Sequence, residues 1–192
     1  KFSGIFLRPL SPYGFAIKTK KFNEYNAARW FEFYKQGLEY IIKLNKEGVN
    51  FREFYTSTIL KKIFTFNDPG YVDLTSPAGI GIAAVVYNYD GNVFASDESR
   101  MLAEMGEDKF KLGNVLNDSY KDIFLSEALL DPLEESFALS VPMCNDCAFE
   151  NYCGSDPVYH YATTKDFIGR KPESDFCYRN MNVFKYIFNR MN

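Results

Sequence analysis

Residues 144–153 read CNDCAFENYC, three cysteines within ten positions of a chain whose only other cysteine is Cys177. The spacing C-x2-C-x5-C admits four meanings: a disulfide staple, a zinc site, an iron-sulfur site, or buried thiols serving as small hydrophobes. A chain of 192 residues that is 46% hydrophobic and 24% charged forms one large domain or two small ones and buries a core without staples. Four cysteines at this length, with no charged-then-apolar leader, predict a reduced, cytoplasmic setting.

Charge narrows the partners. There are 22 Lys plus Arg against 25 Asp plus Glu, and no basic run interleaved with aromatics, so nucleic acid is not expected. No apolar run approaches the ~20 residues that span a bilayer, so no membrane partner is expected either. The chain opens at Lys1 without a methionine and enters the apolar run Ile5-Phe6-Leu7 almost at once, which reads as a C-terminal fragment of something longer.

Around the cysteines, periodicity predicts an α+β fold. A strand over Ile5–Leu10 is followed by the turn Ser11-Pro12-Tyr13-Gly14. A helix then carries Trp30, Phe31, Tyr34, Leu38, Ile41 and Ile42 inward at three- and four-residue intervals, with Asn23 as N-cap and Gly48 as stop. The stripe of aromatics on this helix reads as core. A second helix is predicted over Phe51–Phe64, and Asn67-Asp68-Pro69-Gly70 marks the boundary between residues 1–66 and 67–192. Strand followed by helices suggests the end of an α/β unit. Past the boundary, Asp90-Gly91 predicts a two-residue hairpin turn between Ala83–Tyr89 and Asn92–Ser96. A helix over Ser119–Leu130, stopped before Pro132, and a closing helix over Asp175–Arg190 complete the outline.

Cys144 and Cys147 have the knuckle spacing in which a tight turn directs two sulfurs at one centre; Cys153 lies within reach, and Cys177 returns from downstream to complete four-sulfur ligation. Ser174 and Asp175 cap the last helix, so Cys177 falls in its first turn, where the helix dipole is expected to lower the thiol pKa. Spacing alone serves zinc or a cluster, and the abundance of structural zinc leans toward zinc. Charge does not decide, because either centre with four thiolates carries about −2. His160, the one histidine, reads as a hydrogen-bonded core residue, and Asp97, Glu98 and Arg100 as a salt-bridged turn.

The pattern over Pro77–Cys177 resembles the SPASM domain, the cysteine-rich C-terminal domain of radical S-adenosylmethionine (radical SAM) peptide-modifying enzymes. That family carries C-x9-15-G-x4-C, then C-x2-C-x5-C-x3-C, then a last C. Here Gly91 and Ser96 stand at G-x4-C, followed by Cys144, Cys147, Cys153, Pro157 and finally Cys177. VYNYDGNVFASDESRMLAEMG (86–106), CAFENYCGSDPVYHYAT (147–163) and FCYRNM (176–181) are similar to the radical SAM maturase of the His-Xaa-Ser peptide system.

The resemblance implies one auxiliary [4Fe-4S] cluster on Cys144, Cys147, Cys153 and Cys177. A second cluster is not expected, because Ser96, Pro157 and the cysteine-free TSPAGIG (75–81) stand where its ligands would be. It implies that residues 1–66 end a radical SAM partial barrel and that 67–192 form the auxiliary-cluster domain. The C-x3-C-x2-C motif that binds S-adenosylmethionine and its cluster does not occur in these residues. The implied partners are an N-terminal radical SAM core of the same protein and a precursor peptide, and the chain alone is expected to be inactive. A zinc-bound interaction module without redox work is the alternative.

Overall fold

The computed structural model describes residues 2–19 and 24–191. Two short sheets and seven α-helices organise them: β1 (Gly4–Ile5), α1 (Ala27–Lys46), β2 (Arg52–Glu53), α2 (Phe54–Phe64), β3 (Val86–Tyr87), β4 (Asn92–Phe94), α3 (Asp97–Ala103), β5 (Lys111–Asn114), α4 (Tyr120–Phe124), α5 (Glu127–Glu135), α6 (Pro157–Thr164) and α7 (Asp175–Met191). The expected α+β class holds.

The first 64 residues form one β-α-β unit. β1 pairs in parallel with β2, joined by the crossover helix α1. The predicted strand over Ile5–Leu10 shortens to Gly4–Ile5, because its partner is only two residues long and Pro9 has no N–H to extend a ladder. The N-cap of α1 is Asn26, whose side chain accepts the Arg29 N–H at 2.7 Å; the predicted cap, Asn23, lies outside the described residues. The helix stops at the predicted place. Gly48 and Val49 N–H groups bond back to the Asn45 and Leu44 carbonyls at 3.1 and 3.0 Å, the paired bonds of a Schellman ending.

The predicted helix from Phe51 begins instead at Phe54, because Glu53 is both the last strand residue and the N-cap. Its carboxylate is buried and fully engaged. It accepts the N–H groups of Leu7 (3.0 Å), Tyr55 (3.3 Å) and Thr56 (2.6 Å) and the Thr56 hydroxyl (2.6 Å). The Tyr34 hydroxyl donates in turn to Thr56 Oγ1 at 2.6 Å, so β1, α1 and α2 are tied through one acid.

Past residue 70, β3, β4 and β5 form an antiparallel sheet in sequence order. The hairpin is where it was expected, but its loop has three residues. Asn88 N–H bonds to Asn92 O, Gly91 N–H to Asn88 O, and Gly91 takes φ +83°, a type I turn followed by a left-handed residue. The single helix predicted over Ser119–Leu130 is two: Ser119 and Asp122 form a capping box that starts α4, and Ser126 starts α5 afresh. Pro132 lies inside α5 rather than beyond its end.

Two apolar clusters result. One gathers Trp30, Tyr34 and Leu38 of α1 with Ile59, Leu74 and Val183, Phe184 and Ile187 of α7, confirming the aromatic stripe as core. The other fills the space between the small sheet, α3 and α6 with Ile80, Val93, Leu102, Phe110 and Val158. Apolar side chains remain exposed in the first 66 residues, among them Phe2, Phe15, Phe64 and Phe66. Replacing Glu53 by Ala is expected to destabilise the protein by about 3 kcal/mol in chemical denaturation, since four buried donors lose a charged acceptor. Thr56→Val should cost about 1 kcal/mol.

Candidate metal centre

The cysteine loop is a chain of tight turns. Cys144 N–H bonds to Val141 O, Cys147 N–H to Cys144 O, Glu150 N–H to Cys147 O and Cys153 N–H to Glu150 O, all between 3.0 and 3.1 Å. The spacer between Cys147 and Cys153 supplies two aromatic rings that dock the loop on α7. Phe149 lies 5.5 Å from Phe184 and 5.9 Å from Phe188, and Tyr152 lies 5.7 Å from Phe188. Cys177 is the third residue of α7, and its N–H bonds to Ser174 Oγ at 3.2 Å. The predicted capping is therefore present, and it carries the fourth thiol to the loop.

All four cysteines are free thiols and line one cavity of about 70 Å³, together with Ser155, Lys171 and Asn180. Among the described residues, no three His, Cys, Asp or Glu side chains are grouped so as to hold a single metal ion. The thiols still feel one another. Burial pushes Cys153 up to about 11, with Cys144 and Cys177 adding in the same direction. Cys177 is also raised, by burial first and then by Cys144, so the lowering expected from the helix dipole is overturned. A helix terminus contributes only ~0.3–1 kcal/mol, less than desolvation of a thiolate in this cavity.

Around the thiols stands a polar shell that the sequence did not announce. Lys171 is only 6% exposed, and its ammonium donates to Ser155 Oγ at 2.6 Å, to the Ile168 carbonyl and to His160 Nε2 at 3.5 Å. No carboxylate pairs with it among the described residues. Burial lowers its pKa, whereas Cys144, Cys153 and Cys177 oppose that shift. Asn180 Nδ2 donates to Cys153 Sγ at 3.7 Å while its Oδ1 accepts from the buried Tyr55 hydroxyl at 3.2 Å.

His160 is the buried, hydrogen-bonded residue expected. Its Nδ1 lies 2.7 Å from the Asp156 carbonyl, which can only accept, so the proton sits on Nδ1 and Nε2 accepts from Ser174 Oγ at 2.9 Å. Burial and the nearby Lys171 depress its pKa to about 4, so the ring is neutral at pH 7.

The segment after Cys153 is held by close approach. A Cβ on Gly154 would meet the Thr75 carbonyl oxygen at 2.6 Å and Val72 O at 2.9 Å, and the Gly154 N–H bonds to Asp73 O at 2.8 Å. Ser155 follows with φ +50°, a left-handed conformation that costs a non-glycine residue ~1–2 kcal/mol and is offset by its bond to Lys171. The positions read as substitutes for further cysteines are otherwise engaged. Ser96 is buried as the N-cap of α3, exchanging hydrogen bonds with Ser99, and Pro157 is the buried first residue of α6. Asp97 pairs with Arg100 at 3.2 Å as expected, but Glu98 turns instead to Arg8 at 3.5 Å. Of the residues missed, Asn180 was recoverable, because it lies three positions after Cys177 on the same helix face. Lys171 was not, since a lysine in GRKPESD looks like any solvated turn residue.

This arrangement of β-α-β unit, small antiparallel sheet and cysteine loop closed by a helix is similar in fold to SPASM-containing radical SAM enzymes. The chain superimposes on anSMEcpe, an anaerobic sulfatase-maturating enzyme of that class, with bound AdoMet, at a TM-score of 0.60, 18% identity, 86% of this chain and 42% of that one. The same enzyme with AdoMet and the Cp18Cys peptide gives 0.60 at 18% identity over 86% and 43%, and with the Kp18Cys peptide 0.58 at 18% over 86% and 42%. The chain thus spans less than half the length of these structures. No protein-family model and no curated protein matches it.

Gly154→Ala is expected to destabilise the protein by about 1–3 kcal/mol, because the added methyl meets backbone that cannot swing aside. Thermal unfolding of the variant and parent, side by side, checks this.

Proposed function

We propose that this chain is the auxiliary-cluster region of a radical SAM enzyme that modifies a ribosomally made peptide, with Cys144, Cys147, Cys153 and Cys177 as ligands of one [4Fe-4S] cluster. The observation that carries the proposal is Lys171. A lysine is almost never fully buried unless it is paired, and this ammonium makes no carboxylate ion pair among the described residues, with Cys144, Cys153 and Cys177 acting on it ahead of the more distant Asp166. Four neutral thiols leave it unbalanced. A four-thiolate centre of about −2 balances it and turns an expensive burial into a favourable one.

The cavity supports a polynuclear occupant over a single ion, since about 70 Å³ is several times the ~10–15 Å³ that one water-sized species requires. When bound, such a cluster supplies one-electron transfer or structural support. Four cysteine ligands leave no iron open to substrate, so this chain's residues serve to hold the cluster, exclude water and set its potential. Ser96 and Pro157, both buried and engaged, support a single cluster. Residues 1–66 belong, in this proposal, to the end of the catalytic barrel and 67–192 to the cluster domain. Radical initiation requires a C-x3-C-x2-C core elsewhere in the enzyme, with S-adenosylmethionine and its cluster, and the precursor peptide is the substrate. No described helix is long and apolar enough to cross a membrane. The cytoplasm, where thiols stay reduced, is the proposed location.

Protein isolated anaerobically from iron-replete cells should contain about four irons and four sulfides beyond those of the catalytic core, and Cys153→Ala should lose them. Stoichiometric zinc in that material would overturn the proposal in favour of a zinc-bound interaction module. Lys171→Met should keep the cluster but move its reduction potential to more negative values, on the order of tens of millivolts, because the reduced cluster loses a neighbouring cation. A redox titration followed by electron paramagnetic resonance reads that shift.

A further inference from the structure

A second polar site lies away from the cysteine cavity, where the chain after β1 crosses the segment around Asp73 and the start of α6. Its inner part is a cleft of about 40 Å³ that contains Asp73, Glu98 and Asp156. It opens outward into a wider hollow of about 390 Å³ whose walls include Phe6, Tyr71 and Val72. Tyr13 also lines the inner cleft. It is only 6% exposed, and its hydroxyl has no hydrogen-bond partner. A buried hydroxyl left unpaired is costly, and it marks a place where a ligand atom belongs.

Two arginines also line the cleft, and among the described residues only Glu98 of its acids is ion-paired with one of them. Arg8 is mostly exposed, lies over the Phe6 ring at 5.2 Å and pairs with Glu98 at 3.5 Å. Arg179 lies 4.9 Å from the Phe176 ring centre and 5.9 Å from that of Tyr159, with its Nε directed to Asn180 Oδ1 at 3.4 Å. Neither makes an ion pair with Asp73 or Asp156 among the described residues. Asp156 spends Oδ1 on the Val158 and Tyr159 N–H groups, capping α6, and no described side chain donates to the Asp73 carboxylate. Burial raises the pKa of both acids; at Asp73 the charges of Arg179 and Arg8 oppose that rise, whereas Asp73 adds to it at Asp156, and both carboxylates push the Tyr13 phenol up. Three acids, Asp73, Glu98 and Asp156, thus line the cleft against two arginines, Arg8 and Arg179.

We propose that this cleft binds a primary ammonium group, with Asp73, Asp156 and the Tyr13 hydroxyl as its hydrogen-bond acceptors. A primary ammonium has three donors and no acceptor, which matches three acceptors left without donors. Aromatic walls favour a cation with an aliphatic stem. The inner volume suits a head group little larger than water, and the outer hollow suits a chain behind it. Two sources share this chemistry: a lysine side chain and the free amino terminus of a peptide. That the amine belongs to the peptide being modified rests on the proposed function; amine binding itself does not.

Calorimetric titration of the intact protein with three probes tests the inference. Nα-acetyl-lysine methylamide carries only the side-chain ammonium, alanine methylamide only the α-ammonium, and Nα-acetyl-norleucine methylamide neither. One of the two amines should bind about tenfold or more tightly than the norleucine probe, and which one does so identifies the source. Tyr13→Phe and Asp156→Asn should each weaken it about tenfold; asparagine still caps α6, so folding survives. Equal binding of the norleucine probe, binding of neither amine, competition by acetate, or unchanged affinity in either variant would overturn the inference. Iron and sulfide measured on the same samples keep the two proposals separable: cluster without amine binding sinks only this one, and amine binding without cluster sinks only the other.

Discussion

An ammonium held out of water without a carboxylate is the constraint from which the cysteine centre is best understood. Lys171 sits in a short helical turn immediately before α7, anchored by Ser155, Ile168 and His160, none of which carries a negative charge. The surrounding structure orients that charge rather than neutralising it. His160 is held neutral by burial and by the neighbouring Lys171, while its bond to the Asp156 carbonyl fixes the proton on Nδ1, so it adds no second cation and offers Nε2 as an acceptor. In the proposed function the compensating charge comes from the thiols: burial raises the pKa values of Cys144, Cys153 and Cys177, and a bound metal centre would take their protons.

The remaining architecture fixes where those thiols stand. Phe149 and Tyr152 in the loop spacer press on Phe184 and Phe188, so the loop and the helix bearing Cys177 share one packing surface. α7 in turn packs on α1, and its outer end is bound to that helix by Arg190 and Glu39 at 2.9 Å. Through Asn180 and Tyr55, Cys153 is connected to α2, and through Glu53 α2 is connected to β1. The position of the cysteine centre is therefore set by the β-α-β unit as much as by the loop.

Much of this was legible in the sequence, and the parts that were not share a physical cause. The long helices α1 and α7 announced themselves because a 3.6-residue period sustained over many turns is hard to imitate, and Ser174 before Cys177 is a strong cap. The parallel pair β1–β2 was half hidden: two residues carry no alternation, and Arg52-Glu53 has the look of a helix start because Glu53 is one. The hairpin was visible in Asp90-Gly91, but loop length depends on which residue adopts the left-handed conformation, and one glycine fits two- and three-residue loops alike. The capping box of Ser119 with Asp122 starts one helix, and Ser126, whose hydroxyl donates back to the Ile123 carbonyl, stands at the break before the next, a division of 119–135 that hydrophobic spacing does not inform. In the centre itself the four cysteines were legible from spacing. Lys171 was not, because its burial depends on contacts with Ser155 and His160 that are far from it in sequence.

The segment Cys153–Asp156 links the two polar sites, and its geometry explains why they coexist. Cys153 lines the cysteine cavity, and Ser155 holds the ammonium beside it. Asp156 caps α6 and lines the acidic cleft. Between them Gly154 is pressed against residues 72–75, donating its N–H to the backbone of Asp73, the other acid of that cleft. The left-handed turn at Ser155 is what allows neighbouring residues to address opposite sides: an extended backbone would alternate them, but it would not place Ser155 on Lys171 while leaving Asp156 free to cap α6. Four consecutive residues thus border both the four-cysteine cavity beside Lys171 and the cleft that holds Asp73, Glu98 and Asp156.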